Sequence, residues 1–223
     1  MIASPKPVSP ADYAARWPRC SVDPTAVVYD NVALGEGVVV GPLCVLGYPG
    51  GIRGAETFSG TVRIGAGTRL GVGVVVTAGT EGETAIGERC LVMNRANVGH
   101  NARVGDDVEI GAGAVVCGWA EVGGGARVKV GALVRNRKRV GPGAVVGMGA
   151  NVVSDVPSGA VVYGNPARPH NGRSSAEPST IDALHALQAE MERSAERYEA
   201  TPVSPAFVAR QHAEQLRRIL ASR

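Results

Sequence analysis

The sequence predicts a mainly β fold: a parallel β-helix of about six to seven triangular coils, followed by a short C-terminal α-helical region. Two observations carry this. Stepping by six from Ile86, every position through Val152 is Ile or Val: Ile86, Val92, Val98, Val104, Ile110, Val116, Val122, Val128, Val134, Val140, Val146 and Val152. Four residues after most of these stands a small residue, as at Cys90, Ala96, Ala102, Ala114, Ala120, Ala126, Ala132, Ala144 and Ala150. A period of six with one large inward position is the pattern of a solenoid whose hexads each make one short strand and one turn. Composition agrees, with 31 Gly among 223 residues and only 4% aromatics. Small residues suit tight corners.

The elements follow in order. Residues 1–20 read as an N-terminal arm, with Ser9-Pro10 starting a short helix that runs through Trp17. Residues 21–170 read as the β-helix domain. Its first coils repeat in another phase, at Val28, Leu34, Val40 and Leu46, then at Ile64, Leu70 and Val76. Loops near 47–61 and 78–85 interrupt the phase. The repeat closes with SDVPSGAVVYGNPARP. In residues 171–223, Ser179 to Asp182 resembles a capping box. Ile181, Leu184, Leu187, Met191 and Tyr198 follow at helical spacing. Pro202 ends that helix, and Ser204-Pro205 starts a second containing Val208, Leu216, Ile219 and Leu220.

Composition excludes several classes. The net charge of +3 is too weak to imply nucleic-acid binding. No apolar run reaches the roughly 18 residues of a membrane span, and the N-terminus lacks the apolar core of a signal peptide. The expectation is a cytoplasmic protein without membrane association. The four cysteines, Cys20, Cys44, Cys90 and Cys117, show no CxxC spacing and read as reduced thiols.

Three hexads close one coil, so residues eighteen apart share a column on the surface. His100, Gly118, Asn136 and Ser154 form one column. Asn101, Trp119, Arg137 and Asp155 flank it on one side, and Gly99, Cys117, Arg135 and Val153 on the other. His100 is the single histidine of the repeat. It is either a structural corner residue or a general base suited to neutral pH. Gly118 is either a turn glycine or a bare backbone N–H facing a ligand carbonyl. Arg135, Arg137, Lys138 and Arg139 are a solvated corner or a site for phosphates of a coenzyme, a nucleotide or an acidic carrier protein. Lys138 stands where other hexads place a small residue, which predicts irregular geometry there. Cys117 is a weak candidate nucleophile. A metal site built from three stacked histidines is excluded, since the repeat has one. In the 47–61 loop, Arg53 or Glu56 would cover a ligand.

Several segments carry a family resemblance: SVDPTAVV, VGPLCVLG, GTVRIGAGTRLGVGVVVTAGT, MNRANVGHNARVGDDVEIGAGAVVCGWAEV and SDVPSGAVVYG. Together they span residues 21 to about 165. They resemble the hexapeptide-repeat acyltransferases, in particular the UDP-N-acetylglucosamine O-acyltransferase branch. The ending GNPARP resembles acetyl-CoA-dependent sugar and xenobiotic acetyltransferases. The resemblance implies a left-handed coil and a homotrimer with active sites in clefts between subunits. It implies that His100 is the general base and that the Gly118 N–H is the oxyanion donor. The acidic residue that follows the family's histidine is replaced by Asn101. Family histidines fall on Asn97 and Trp119, and a His-Gln pair falls on Arg135 and Asn136. At least one family coil is missing between Gly47 and Thr61.

The function expected is transfer of an acyl group from a coenzyme A or acyl carrier protein thioester. The acceptor would be an amine or hydroxyl of an amino sugar, nucleotide sugar or aminoglycoside-like metabolite. No tightly bound cofactor is expected. The alternatives are O-acylation of UDP-N-acetylglucosamine from acyl carrier protein, as in lipid A synthesis, and a non-enzymatic trimeric scaffold.

Overall fold

The computed structural model describes residues 5–49 and 59–170. The expected C-terminal helices and Arg53 lie outside the described residues. Pro10–Asp12 forms a 3-10 turn that continues into a helix over Tyr13–Arg16, ending at Trp17. Tyr13 and Trp17 are buried, and the Tyr13 hydroxyl donates to the Ala26 carbonyl at 2.7 Å. The arm is thereby fastened to the first coil.

Three parallel sheets of nine, seven and six strands make the walls of the solenoid; a single antiparallel pair closes the nine-stranded sheet. Most strands are two residues long, because the chain turns a corner after each hexad. Pairing in the central coils is in steps of eighteen, as in Val98 to Val116, Val116 to Val134 and Val134 to Val152. The strand residues of the period-six series face inward. All twelve from Ile86 to Val152 are at most 5% exposed. The small residues two positions earlier share the interior: Ala96, Ala102, Ala114 and Ala120 are fully buried. Each branched residue thus stacks on its equivalents in adjacent coils, and the alanines leave room for the corner. Ile110 stacks between Val92 and Val128 and is fully buried. Ile110→Ala should cost about 2–5 kcal/mol of stability, read from the shift of the urea midpoint.

The corners are made by a left-handed residue three positions after each inward one. Glycine fills most of these, for example Gly113, Gly125, Gly131, Gly143 and Gly149. Leu43, Arg89, Arg95 and Asp107 take it at the other two corners, and at the corner joining the seven-stranded sheet to the six-stranded sheet no such residue is a glycine. Asn101 (φ 59), Trp119 (φ 55) and Arg137 (φ 61) occupy it in three successive coils. Side chains at such φ values cost on the order of 1–3 kcal/mol each, and such outliers cluster at functional sites.

Both interruptions of the repeat leave from this same corner. One lies between the strands Val45–Pro49 and Thr61–Ile64, the other between Val75–Ala78 and Glu83–Ile86. Asn31 holds the base of the first, donating from Nδ2 to the carbonyls of Gly47 (3.1 Å) and Gly60 (2.9 Å).

One expectation is corrected. The hexad of Lys138 is regular. Its N–H donates to the Arg135 carbonyl at 3.1 Å, as in the alanine hexads, and Arg139–Val140 pairs with Glu121–Val122. Backbone bonds set the turn, and the flexible, half-buried lysine adapts to a place that alanine fills elsewhere.

Candidate functional site

His100 follows the strand Asn97–Val98 by two residues, at the corner just described. Its ring is half-buried. Three neighbours fix it. Asn101 Oδ1 lies 3.2 Å from His100 Nδ1. Trp119 packs against it at 4.3 Å between ring centroids, with planes at 87°. Gly118 lies against its edge: a Cβ on Gly118 would stand 2.5 Å from His100 Cε1, 2.6 Å from Nε2 and 3.0 Å from Nδ1.

That last observation sets aside the turn reading of Gly118. Its φ is not in the left-handed region, and the residue that turns this corner is the next one, Trp119. Glycine is therefore not required at 118 by the turn. It is required by the imidazole, which occupies the space of the missing side chain.

The orientation of Asn101 fixes the tautomer of His100. The Thr80 backbone N–H donates to Asn101 Oδ1 at 3.0 Å, and the Thr80 hydroxyl lies at the same distance. Asn101 Nδ2 donates to the Glu81 carbonyl. A backbone N–H can only donate and a carbonyl can only accept, so the amide has one orientation. The atom facing His100 is then an acceptor. Nδ1 carries the proton, and the lone pair of the neutral ring sits on Nε2, beside Gly118. The Asn101 backbone is itself anchored, its N–H donating to the buried Thr84 Oγ1 at 2.7 Å. Asn101 orients the ring as a carboxylate would, without supplying its charge.

Among the described residues no protein acceptor takes the Gly118 N–H. Open N–H groups of this kind recur at the same corner position, as at Ala112, Gly124 and Val130, whereas those of Val72 and Glu88 are taken by Asn94 Oδ1 (3.0 Å) and Asp106 Oδ1 (2.8 Å) of the following coil. Asn136 holds the equivalent place above Gly118 and takes no such bond.

The structure brings together His100, Asn101, Gly118, Trp119 and Arg137, whose guanidinium carbon lies 5.0 Å from the Trp119 ring centroid. It does not gather the rest so closely. Asn97 lies on the flat wall of the seven-stranded sheet, beside Val115 in the ladder. Arg135 and Asn136 are exposed one coil beyond Gly118, and Lys138 lies past the turn. Thr80, Glu81 and Thr84 were not visible as site residues in the sequence. The 78–85 interruption shifts them out of the eighteen-residue columns, and only the hydrogen bonds of Asn101 reveal them.

Burial pushes the Cys117 thiol up, against a smaller opposing effect of the Asn136 backbone N–H. A thiol held protonated is a poor nucleophile. Cys117→Ala should keep kcat/KM within about threefold of the parent, a rate ratio below 1 kcal/mol; a loss of a hundredfold would restore Cys117 as a nucleophile. Among the described residues no group of three His, Cys, Asp or Glu side chains is arranged to hold a metal ion. No helix among them is long and apolar enough to cross a membrane.

Residues 83–118, which contain His100 and Gly118, match the family described as bacterial transferase hexapeptide (six repeats). The chain is 34% identical over 146 residues to a UDP-3-O-acylglucosamine N-acyltransferase of Caulobacter sp. (strain K31). That match covers 65% of this chain and 43% of the relative, so the chain spans less than half of the relative's length. A UDP-N-acetylglucosamine acyltransferase from Bacteroides fragilis superposes with a TM-score of 0.66 at 18% identity, covering 88% of this chain and 77% of that one. A UDP-N-acetylglucosamine O-acyltransferase from Moraxella catarrhalis gives a TM-score of 0.54 at 20% identity, covering 83% of this chain and 91% of that one. At these identities the likeness to the solved structures is one of fold, the left-handed parallel β-helix.

Proposed function

We propose that this chain, which carries the bacterial-transferase hexapeptide repeat over residues 83–118, is an acyltransferase that uses His100 as general base. The acyl group comes from a thioester of coenzyme A or of an acyl carrier protein. The acceptor is an amine or hydroxyl of an amino sugar, nucleotide sugar or aminoglycoside-like metabolite. The name of the Caulobacter relative, an N-acyltransferase, favours the amine. The observation that carries the reading is the imidazole seated on Gly118, with its free lone pair beside an N–H that has no protein partner.

The chemistry follows from that pair. The acceptor nitrogen or oxygen attacks the thioester carbonyl carbon. His100 Nε2 takes the proton the acceptor releases as the new bond forms. The carbonyl oxygen gains negative charge, and the Gly118 N–H donates to it. The C–S bond then breaks, and the leaving thiolate takes the proton from the imidazolium. Asn101 holds the ring through Nδ1 throughout. The indole of Trp119, packed at right angles to the imidazole, limits the motion of the ring. In the trimer that the resemblance implies, the half-exposed corner would meet a neighbouring subunit, and the thioester would lie in the cleft between them.

The test pairs acyl-coenzyme A and acyl carrier protein thioesters of several chain lengths with amino sugars and nucleotide amino sugars. Thiol release and product mass are read together. Acceptor-dependent thiol release, with an acceptor heavier by one acyl group, is expected. Absence of release from every pair would favour the scaffold reading instead.

A further inference from the structure

The six-stranded sheet carries a second feature on its outer face, next to the His100 corner. Arg103, Glu121 and Arg139 are successive partners in the strand ladder. Arg103 and Arg139 are thus two strand spacings, about 9.6 Å, apart. They line one hollow of about 310 Å³ together with Asn101, Trp119 and Arg137. A second hollow of about 370 Å³ continues along the same wall past Arg103 and Arg139 to Arg63.

The charges in the first hollow are unevenly matched. Glu121 is engaged by Arg139, at 3.1 Å from Nε and 3.5 Å from Nη2. Arg103 and Arg137 form no ion pair among the described residues; Arg137 instead stacks on the indole of Trp119, which is 37% exposed. Three arginines and one glutamate leave the hollow with a formal charge of +2. Guanidinium groups present paired donors that match phosphate oxygens. A diphosphate diester carries two negative charges at neutral pH, so it matches the hollow in sign and in magnitude.

We propose that the Arg103–Arg137–Arg139 hollow binds the diphosphate of a co-substrate, beside the reacting corner; of the basic run at 135–139 it takes Arg137 and Arg139, while Arg135 and Lys138 lie outside its lining. Two molecules of the proposed reaction carry such a group: a nucleotide-linked acceptor and coenzyme A. The choice of these two rests on the acyltransferase reading; the hollow and its charge do not.

The experiment is calorimetric titration of the full chain at fixed ionic strength with UDP-glucose, dephospho-coenzyme A and inorganic phosphate. One or both diphosphate diesters should bind, with inorganic phosphate at least about tenfold weaker. Arg103→Ala should raise the Kd of the bound diester about tenfold or more, and Arg103→Gln should do the same. Arg69→Ala, an exposed arginine on another sheet, should leave the Kd within about twofold. Binding of UDP-glucose alone assigns the hollow to the acceptor, and binding of dephospho-coenzyme A alone assigns it to the donor. Binding is read with no acyl group present, which separates this test from that of the acyl-transfer reading. Failure of both diesters to bind, or an unchanged Kd in both Arg103 variants, would overturn the proposal.

Discussion

Gly118→Ala should abolish activity, and removing the His100 side chain should make the same substitution harmless to the fold. The added methyl would stand 2.5 to 3.0 Å from three imidazole atoms, and all three of its nearest neighbours belong to His100. The ring must therefore leave its place over residue 118. Overpacking of this kind costs typically about 1–3 kcal/mol. The displaced ring also loses the Nδ1 bond to Asn101, so Nε2 no longer points at the attacking nitrogen or oxygen of the acceptor. A loss of about 10²–10⁴-fold in kcat is expected, comparable to removing the base. In His100→Ala/Gly118→Ala the methyl occupies vacated space, so the stability lost in the single Gly118 variant should return. The two substitutions are thus strongly non-additive in stability, a coupling that urea unfolding of the four proteins measures. If the double variant is as unstable as Gly118→Ala, the contact with His100 is not what requires glycine.

The second large effect belongs to His100 itself. The hydrogen bonds of Thr80 and Glu81 leave Asn101 one orientation, and Asn101 leaves His100 one neutral tautomer. Replacing the imidazole with alanine removes the basic nitrogen that lies against Gly118. The Asn101 amide, still tied to Thr80 and Glu81, should stay in place, so the fold should be retained. The expected loss in kcat is about 10²–10⁴-fold, with the remaining rate supplied by binding and the Gly118 N–H. A His100→Gln side chain restores bulk and polarity without a basic nitrogen, so it should be equally inactive.

Much of this was legible in the sequence. The solenoid was, because a branched residue every sixth position has no other regular outlet than an inward column, and all twelve are buried. The His100–Gly118 column was also legible, because coils of eighteen place those residues one above the other. What the column could not say was why residue 118 is glycine. The answer lies in its φ and in the ring packed against it, neither of which is a matter of spacing. The Asn101 network was hidden for a different reason: the 78–85 interruption breaks the register that relates Thr80 to the coil above. The Arg103–Glu121–Arg139 ladder, by contrast, carried a readable signal. Those residues lie eighteen apart, so the ladder runs across the coils, whereas the basic run at 135–139 lies along the chain. Lys138 shows the limit of reading by position. A residue of the wrong size predicted a broken turn, and the backbone bonds of the turn prevailed.

The most direct test of the central claim is thiol release from an acyl thioester in the presence and absence of an amino-sugar acceptor, with the parent and His100→Ala measured side by side. The account predicts release that depends on the acceptor and falls by at least about 10²-fold in the variant. Acceptor-dependent release at a near-parental rate in a folded His100→Ala protein would contradict it.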